Sequence, residues 1–340
     1  MTVIIRWSLH GPQQPEVVVV EAVRRHVGVG LLALVLSSAA FGTSGPFAKS
    51  LIEAGWSPGA VVLLRIAGAS ALLLPVGLWQ VRHRLRAVVR ELPLVGLYGC
   101  LAVAAAQLGY FQAVERLAVG VALLIEYLGI VLVVLAVWVI TRRAPHRLTG
   151  VGIVLALVGL ALVLDVTGQA TPDLVGVAWG LLAAAGLAGH YVLAARETTL
   201  PPFTFAALGL GAGAVLLAVV GAAGVIPMVA GSARVDVAGH ATPAWLALAE
   251  LVVVAAAVAY VLGVLGARHL GSTLASFVGL TEVLFAVLFA WLVLGELPGA
   301  WQLVGGVVIL AGVAAVRLGE RRQSGAEPAS ADVDLPSPVA

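Results

Sequence analysis

Two glutamates interrupt long apolar runs. Glu126 lies in Ala122-Leu123-Leu124-Ile125-Glu126-Tyr127-Leu128-Gly129, and Glu282 follows Gly279-Leu280-Thr281. An ionisable side chain near the centre of a bilayer costs about 2.5–3.5 kcal/mol on insertion scales, so such a position needs a reason. At 1.5 Å per helical residue, Glu126 falls about 12 Å from the start of its run. Glu282 is at a similar depth, measured from the other side of the membrane. A carboxylate there can carry a proton along a translocation pathway, or hydrogen-bond a neighbouring helix for packing.

Other polar side chains in apolar runs complete the candidate set. Arg65, in Leu63-Leu64-Arg65-Ile66-Ala67-Gly68, can balance a glutamate or clamp a substrate carboxylate. Alternatively it snorkels to the interface, seven residues past Pro58. Gln107 and Tyr110 are three apart and share a helix face, where they can donate to a polar ligand or join helices. Tyr127 and Thr281 adjoin the glutamates. Tyr260 and Glu250 share a later run, in which Glu250 can face a water-filled vestibule. His190 can relay protons or serve as an interfacial structural histidine.

No enzymatic motif competes with these residues. There is no Gly-x-x-x-x-Gly-Lys loop, no His-Glu-x-x-His and no Cys/His cluster at metal spacing. The expectation is no cofactor, no bound metal and no catalytic residue. The single cysteine, Cys100, cannot form an internal disulfide and reads as a small core residue.

Composition decides what must position these groups. Hydrophobic residues make up 61% of the 340 and charged residues 11%, and mean hydropathy is +1.08. Soluble domains carry about 25% charge, so this chain is membrane-embedded. A net charge of +2 gives no case for nucleic acid. Pro12, Pro15 and Glu16 precede any long apolar run, unlike a secretory leader.

About 20 apolar residues cross the hydrocarbon core as a helix. Ten such spans are expected, at 28–48, 58–80, 92–111, 118–140, 147–166, 174–195, 203–224, 244–266, 271–294 and 299–318. Short links make neighbours antiparallel. With the N-terminus inside, fifteen Arg lie on the inner side and three basic residues, Lys49, Arg116 and Arg234, on the outer. Both termini are therefore expected in the cytoplasm.

The chain also repeats itself. Residues 130–163 and 283–316 align without a gap at an offset of 153, with identities that include Trp138/Trp291, Pro145/Pro298, Gly152/Gly305 and Gly159/Gly312. The offset pairs Glu126 with Gly279 and Gly129 with Glu282, one carboxylate per half. Each glycine leaves room for a ligand or allows close helix contact. Five spans per half is odd, so the halves are expected to be inverted about an axis in the membrane plane. The expected fold is an all-α integral membrane protein of ten transmembrane helices in two inverted five-helix repeats, 28–166 and 174–318. A cytoplasmic segment, 1–27, precedes them, and a disordered cytoplasmic tail, 319–340, follows.

The five-plus-five plan resembles the drug/metabolite transporter superfamily, specifically its EamA-type members, over roughly residues 28–318. Phe41-Gly42-Thr43-Ser44-Gly45-Pro46-Phe47-Ala48-Lys49 is similar to the family's first helix with its terminal Lys, and Arg65 to an early Arg of its second. Trp291-Leu292-Val293-Leu294-Gly295-Glu296 is similar to a closing Gly-Glu signature. Residues 122–129, with Arg142-Arg143-Ala144-Pro145, resemble the threonine/homoserine exporter branch. Ile130 and Val283 stand where the family often has Pro.

The resemblance implies a secondary active transporter in the plasma (inner) membrane that exports small polar metabolites such as amino acids by alternating access. A drug or nucleotide-sugar carrier of the same superfamily remains open. So does an intramembrane lipid-handling enzyme using Glu126 or Glu282 as acid or base. The expected partners are a small-molecule substrate and the lipid bilayer, with homodimer formation open.

Overall fold

The computed structural model describes residues 15–114, 116–117, 119–163, 173–294 and 299–325. Among these, nine helices are long and apolar enough to cross a membrane. A tenth apolar helix, Arg147–Val163, is described over 17 residues. It occupies the fifth expected span, whose last residues, 164–166, lie outside the described part.

The first span is α1 (Pro15–Gly42) and α2 (Ser44–Glu53), interrupted at Thr43. Next come α3 (Pro58–Val81) and α4 (Leu85–Leu97). A π-helical stretch, Tyr98–Ala105, leads from α4 into α5 (Ala106–Val114). The fourth span is α6 (Val119–Tyr127) and α7 (Gly129–Thr141), and the fifth is α8 (Arg147–Val163). In the second half follow α9 (Leu174–Ala194), α10 (Pro202–Ala222) and α11 (Ala244–Val252). A second π-helical stretch, Val253–Val258, joins α11 to α12 (Ala259–Leu270). The last two spans are α13 (Ser272–Gly279) with α14 (Thr281–Leu294), and α15 (Ala300–Gly325).

Local chemistry explains the boundaries. Ser57 starts α3 by accepting from the Ala60 N–H at 3.3 Å, with Pro58 in the first turn. Asp173 starts α9, its Oδ1 accepting from Val175 N–H at 2.7 Å and Gly176 N–H at 3.4 Å.

Three features go beyond the expected plan. The bundle is helical, but β1 (Arg234–Val237) and β2 (His240–Pro243) form an antiparallel hairpin in the polar stretch before α11. Ala238 and Gly239 turn it, with φ of 56° and 78°, as a tight two-residue hairpin requires. The last helix runs to Gly325, past the expected start of a disordered tail at 319. Its extension, Glu320-Arg321-Arg322-Gln323, consists of good helix formers. The first helix likewise begins at Pro15, within the expected 1–27 segment.

The fourth and ninth spans break without proline, at Leu128 and Leu280. Short i→i+3 bonds tighten both breaks. Leu128 N–H donates to Ile125 (3.1 Å) and Val131 N–H to Leu128 (2.9 Å); Leu280 N–H donates to Phe277 (3.2 Å) and Val283 N–H to Leu280 (3.1 Å).

Packing joins the halves rather than separating them. α8 lies along α15 and α3 along α10, α1 packs on α12 and α14, and α9 packs on α5 and α7. Exchanging the halves maps this set of contacts onto itself. At the α8–α15 contact a Cβ on Gly159 would meet the Gly305 carbonyl at 2.7 Å, and one on Gly305 would meet the Gly159 carbonyl at 2.6 Å. Gly152 and Gly312 oppose each other in the same way, at 2.9 and 3.0 Å. Small residues let membrane helices approach this closely.

Candidate functional site

The two breaks deliver the glutamates. Glu126 and Tyr127 end α6, and Thr281 and Glu282 begin α14. Around them, Leu274 to Gly279 of α13 are buried throughout, whereas Leu135, Trp138 and Val139 of α7, and Trp291 and Leu292 of α14, are exposed. Both glutamates thus lie beside the breaks, and the far ends of α7 and α14 face outward.

Glu126 and Glu282, one from each half, lie within electrostatic range of each other. Tyr127 lies close to the Glu282 carboxyl group. Tyr110 and Tyr191 also lie within range of both carboxylates. Both glutamates keep partial exposure amid buried neighbours.

Arg65 reaches the same cluster, in range of Glu282, Glu250 and Tyr260. It is only 8% exposed, so it does not snorkel. Its Nη2 donates to the Ala255 carbonyl at 2.6 Å, and its guanidinium lies 5.8 Å from the Phe41 ring centroid. Ala255 belongs to the π-helical stretch of the eighth span, and π-bulges occur often at functional sites. The Arg65 Nε is buried without a partner. Glu250 accepts a hydrogen bond from the Thr43 hydroxyl at the break in the first span, while its Oε2 is buried without a partner.

Tyr260 and Gln107, the expected donors of the eighth and third spans, lie close to each other. The Tyr260 ring packs edge-on against Phe41 at 5.2 Å. Gln107 lines a small, partly open cleft between Pro58, Gly59 and Val62 of α3, Leu108, Phe111 and Gln112 of α5, and Leu217, Ile226 and Pro227. Thr281 sits at the edge of the cluster and donates to the Val278 carbonyl at 2.7 Å, securing the break.

His190 is buried toward the expected inner side. Its Nδ1 lies 3.0 Å from the Tyr98 hydroxyl, and its ring packs on Tyr191 at 5.0 Å and Tyr260 at 5.5 Å. Tyr98 was not among the expected site residues because it reads as a core aromatic; it is fully buried against Phe205. Arg268 was missed as well. Its guanidinium lies 5.2 Å from the Phe205 ring centroid, and it donates to the Leu200 carbonyl at 2.7 Å and the Thr198 hydroxyl at 3.0 Å.

The two glycines paired with the glutamates serve close contact. A Cβ on Gly279 would collide with the Tyr191 hydroxyl, and one on Gly129 would meet the Ala184 carbonyl at 2.6 Å. Neither position leaves free space for a ligand.

Apolar helices of membrane length, enclosing a charged cluster shared by two like halves, define a multi-pass membrane protein of the carrier type. Residues 28–165 and 174–318 each match the model of the EamA-like transporter family, and the chain belongs to that family. It is 29% identical over 287 residues to an uncharacterized transporter of Archaeoglobus fulgidus, a match that covers 84% of this chain and 94% of the relative. A solved crystal structure shares the fold with a TM-score of 0.66 at 18% identity, covering 87% of this chain and 99% of that one.

Proposed function

We propose that the chain is a secondary active transporter of the plasma (inner) membrane that exports small polar metabolites, amino acids among them, by alternating access. The observation that carries this reading is the meeting of Glu126 and Glu282, one from each half, beside the buried Arg65. A site made by both halves changes shape when they rock against each other. Carboxylates there can exchange a proton for a substrate as access alternates. The direction, export, rests on the resemblance of residues 122–129 and 142–145 to the threonine/homoserine exporters.

The reading includes ten spans in two inverted repeats, with both termini cytoplasmic. The exchange symmetry of the helix contacts supports it. So do the reciprocal glycine contacts, because Gly152–Gly312 maps onto Gly305–Gly159 at the repeat offset. Loops expected on one side also touch. Ser57 N–H donates to Val229 at 2.9 Å and Ser232 N–H to Ala54 at 2.9 Å on the outer side, and Thr199 donates to Glu91 at 3.2 Å on the inner.

The test is transport by the purified chain in proteoliposomes, screened across amino acids, amines, sugars and nucleotide sugars, with and without a proton gradient. Gradient-dependent accumulation of one polar class is expected. Flux confined to nucleotide sugars or bulky drugs would replace the metabolite reading with the other carrier type.

A further inference from the structure

The two faces of the bundle are closed by different chemistry. On the outer side, neutral groups hold the link between the first and second spans. Ser57 Oγ donates to the Pro227 carbonyl at 2.9 Å and accepts from the Val229 N–H at 2.8 Å, and Trp56 Nε1 donates to the Ser232 carbonyl at 3.0 Å. On the inner side, two charged side chains hold residues 198–200, the link between the sixth and seventh spans. Glu91 of α4 accepts from the Thr199 N–H at 3.3 Å and from its hydroxyl at 3.2 Å. Arg268, in the last turn of α12, donates to the Leu200 carbonyl at 2.7 Å and to the Thr198 hydroxyl at 3.0 Å. Hydrogen bonds with an ionised partner are stronger than neutral ones. The Glu91 bonds are exposed, whereas those of Arg268 are partly buried, so Arg268 is the stronger tie.

Arg268 also reaches inward. Its guanidinium lies 5.2 Å from the Phe205 ring centroid, Phe205 packs on Tyr98 at 4.8 Å, and the Tyr98 hydroxyl is 3.0 Å from His190 Nδ1. Phe205 and Tyr98 are fully buried. His190 packs in turn on Tyr260 at 5.5 Å, and Tyr260 shares α12 with Arg268. One helix therefore carries both the inner tie and a member of the central cluster. The tie is reversible by construction. Arg268 Nε is buried without a partner. A dry, unpaired N–H costs free energy that water restores on opening.

We propose that Arg268 is the latch of the inner face, and that Phe205 is the plug it holds over the Tyr98–His190 pair. On release, the 198–200 link leaves the end of α12, Phe205 loses the cation at its ring, and Tyr98 and His190 become wet from the inner side. Cargo then passes along those two side chains. This rests on the alternating-access reading and names the residues that set the inner facing. Without the latch, the inward-open population rises.

The test reads the access of a membrane-impermeant maleimide to single cysteines in the full-length protein, with Cys100 replaced by Ser. The reagent is added to inside-out or right-side-out membrane vesicles. The inner reporter is Ala194→Cys, buried one helical turn past His190 on α9, and the outer reporter is Ala247→Cys, buried on α11. Arg268→Gln should speed inner labelling about 10- to 100-fold, the worth of one charge-assisted bond, without speeding outer labelling. Arg268→Lys keeps the charge but not the planar fork, and should fall between. Trp56→Phe removes a neutral outer bond and should speed outer labelling alone, by less.

Inner labelling unchanged in Arg268→Gln overturns the proposal. So does labelling that rises at both reporters, because loss of bundle stability would open both faces. If Arg268→Gln is not monodisperse, Thr198→Val decides: it removes one of the two acceptors and should speed inner labelling alone. Inner opening as expected, with no polar class carried in proteoliposomes, would keep the latch and sink the transport reading. Flux of one polar class with inner labelling unmoved would do the reverse.

Discussion

A carboxylate held among apolar helices matters because its charge can be removed. In the proposed mechanism, a proton on Glu126 removes the cost of an uncompensated charge beside Glu282, so that the halves can change facing without it. A ligand shifts that change only by its differential affinity for the two facings. Glu126→Gln fixes the neutral form at nearly constant shape. The variant should express normally and exchange substrate at equal pH, but lose accumulation driven by a proton gradient. If it concentrates substrate as well as wild type, Glu282 is the proton carrier or the carrier is uncoupled. A second prediction concerns packing at the same site. Gly279→Ala places a methyl group against the Tyr191 hydroxyl, and overpacking of this kind costs about 1–3 kcal/mol. Its unfolding midpoint should fall, and Tyr191→Phe should recover part of the loss by removing the hydroxyl. Independent, additive effects would show that the ring moves aside freely. The glutamates, Arg65 and Gln107 were legible in the sequence because charge and amide groups stand out from Leu and Val. The role of Gly279 was not, since a small residue reads the same whether it admits a ligand or a neighbouring ring.

At the scale of elements, the spans that carry the two glutamates, Gln107 and Tyr260 depart from regular geometry, whereas α8 and α15 do not. The fourth and ninth spans break at Leu128 and Leu280, and the third and eighth contain π-helical stretches that end at Ala105 and Val258, positions equivalent at the repeat offset. The Ala255 carbonyl receives Arg65 and the Ala259 carbonyl receives the Ser37 hydroxyl at 2.7 Å. Span positions were legible from hydropathy, because twenty apolar residues leave few alternatives. The irregular stretches were not: Tyr98–Ala105 and Val253–Val258 contain no proline, and their apolar residues suit either kind of helix. The 234–243 hairpin escaped because its alternation, Arg234-Val235-Asp236-Val237, is only four residues long and sits in a polar run that reads as a loop. The fifth and tenth spans, α8 and α15, are regular and meet through glycine on glycine. Gly159→Leu should therefore splay that pair rather than alter the site. The expected result is a loss of about 1–3 kcal/mol in stability with substrate affinity unchanged in the surviving folded fraction. A changed affinity at unchanged stability would place this contact in the transport cycle.

For the molecule as a whole, the two faces are closed by corresponding loops. The link between the first and second spans is bonded to residues 227–232, with Ser57 Oγ donating to Pro227 at 2.9 Å and Trp56 Nε1 to Ser232 at 3.0 Å. The link between the sixth and seventh spans is bonded to Glu91 and Arg268, through Thr199 and Thr198. These are the same connection in each half, at opposite ends of the bundle. Alternating access requires each to open in turn, so tying either shut should stop transport. Cys100, expected in the core, is instead exposed, and its replacement by Ser leaves a background free of cysteine. On that background, cysteine pairs at Ser57 with Val229, and at Thr199 with Glu91, can be joined by a short bifunctional maleimide. Either tie should abolish flux in proteoliposomes, and the substrate should then bind from one face only, the opposite one for each tie. Reporters fused after residue 325 and within 167–173 should report opposite sides of the membrane, the sidedness that inverted halves demand. Flux that survives both ties would mean that the substrate passes without these loops parting. Reporters on one side would mean that the halves are not inverted, and the glutamates would then meet for a reason other than a shared two-fold site.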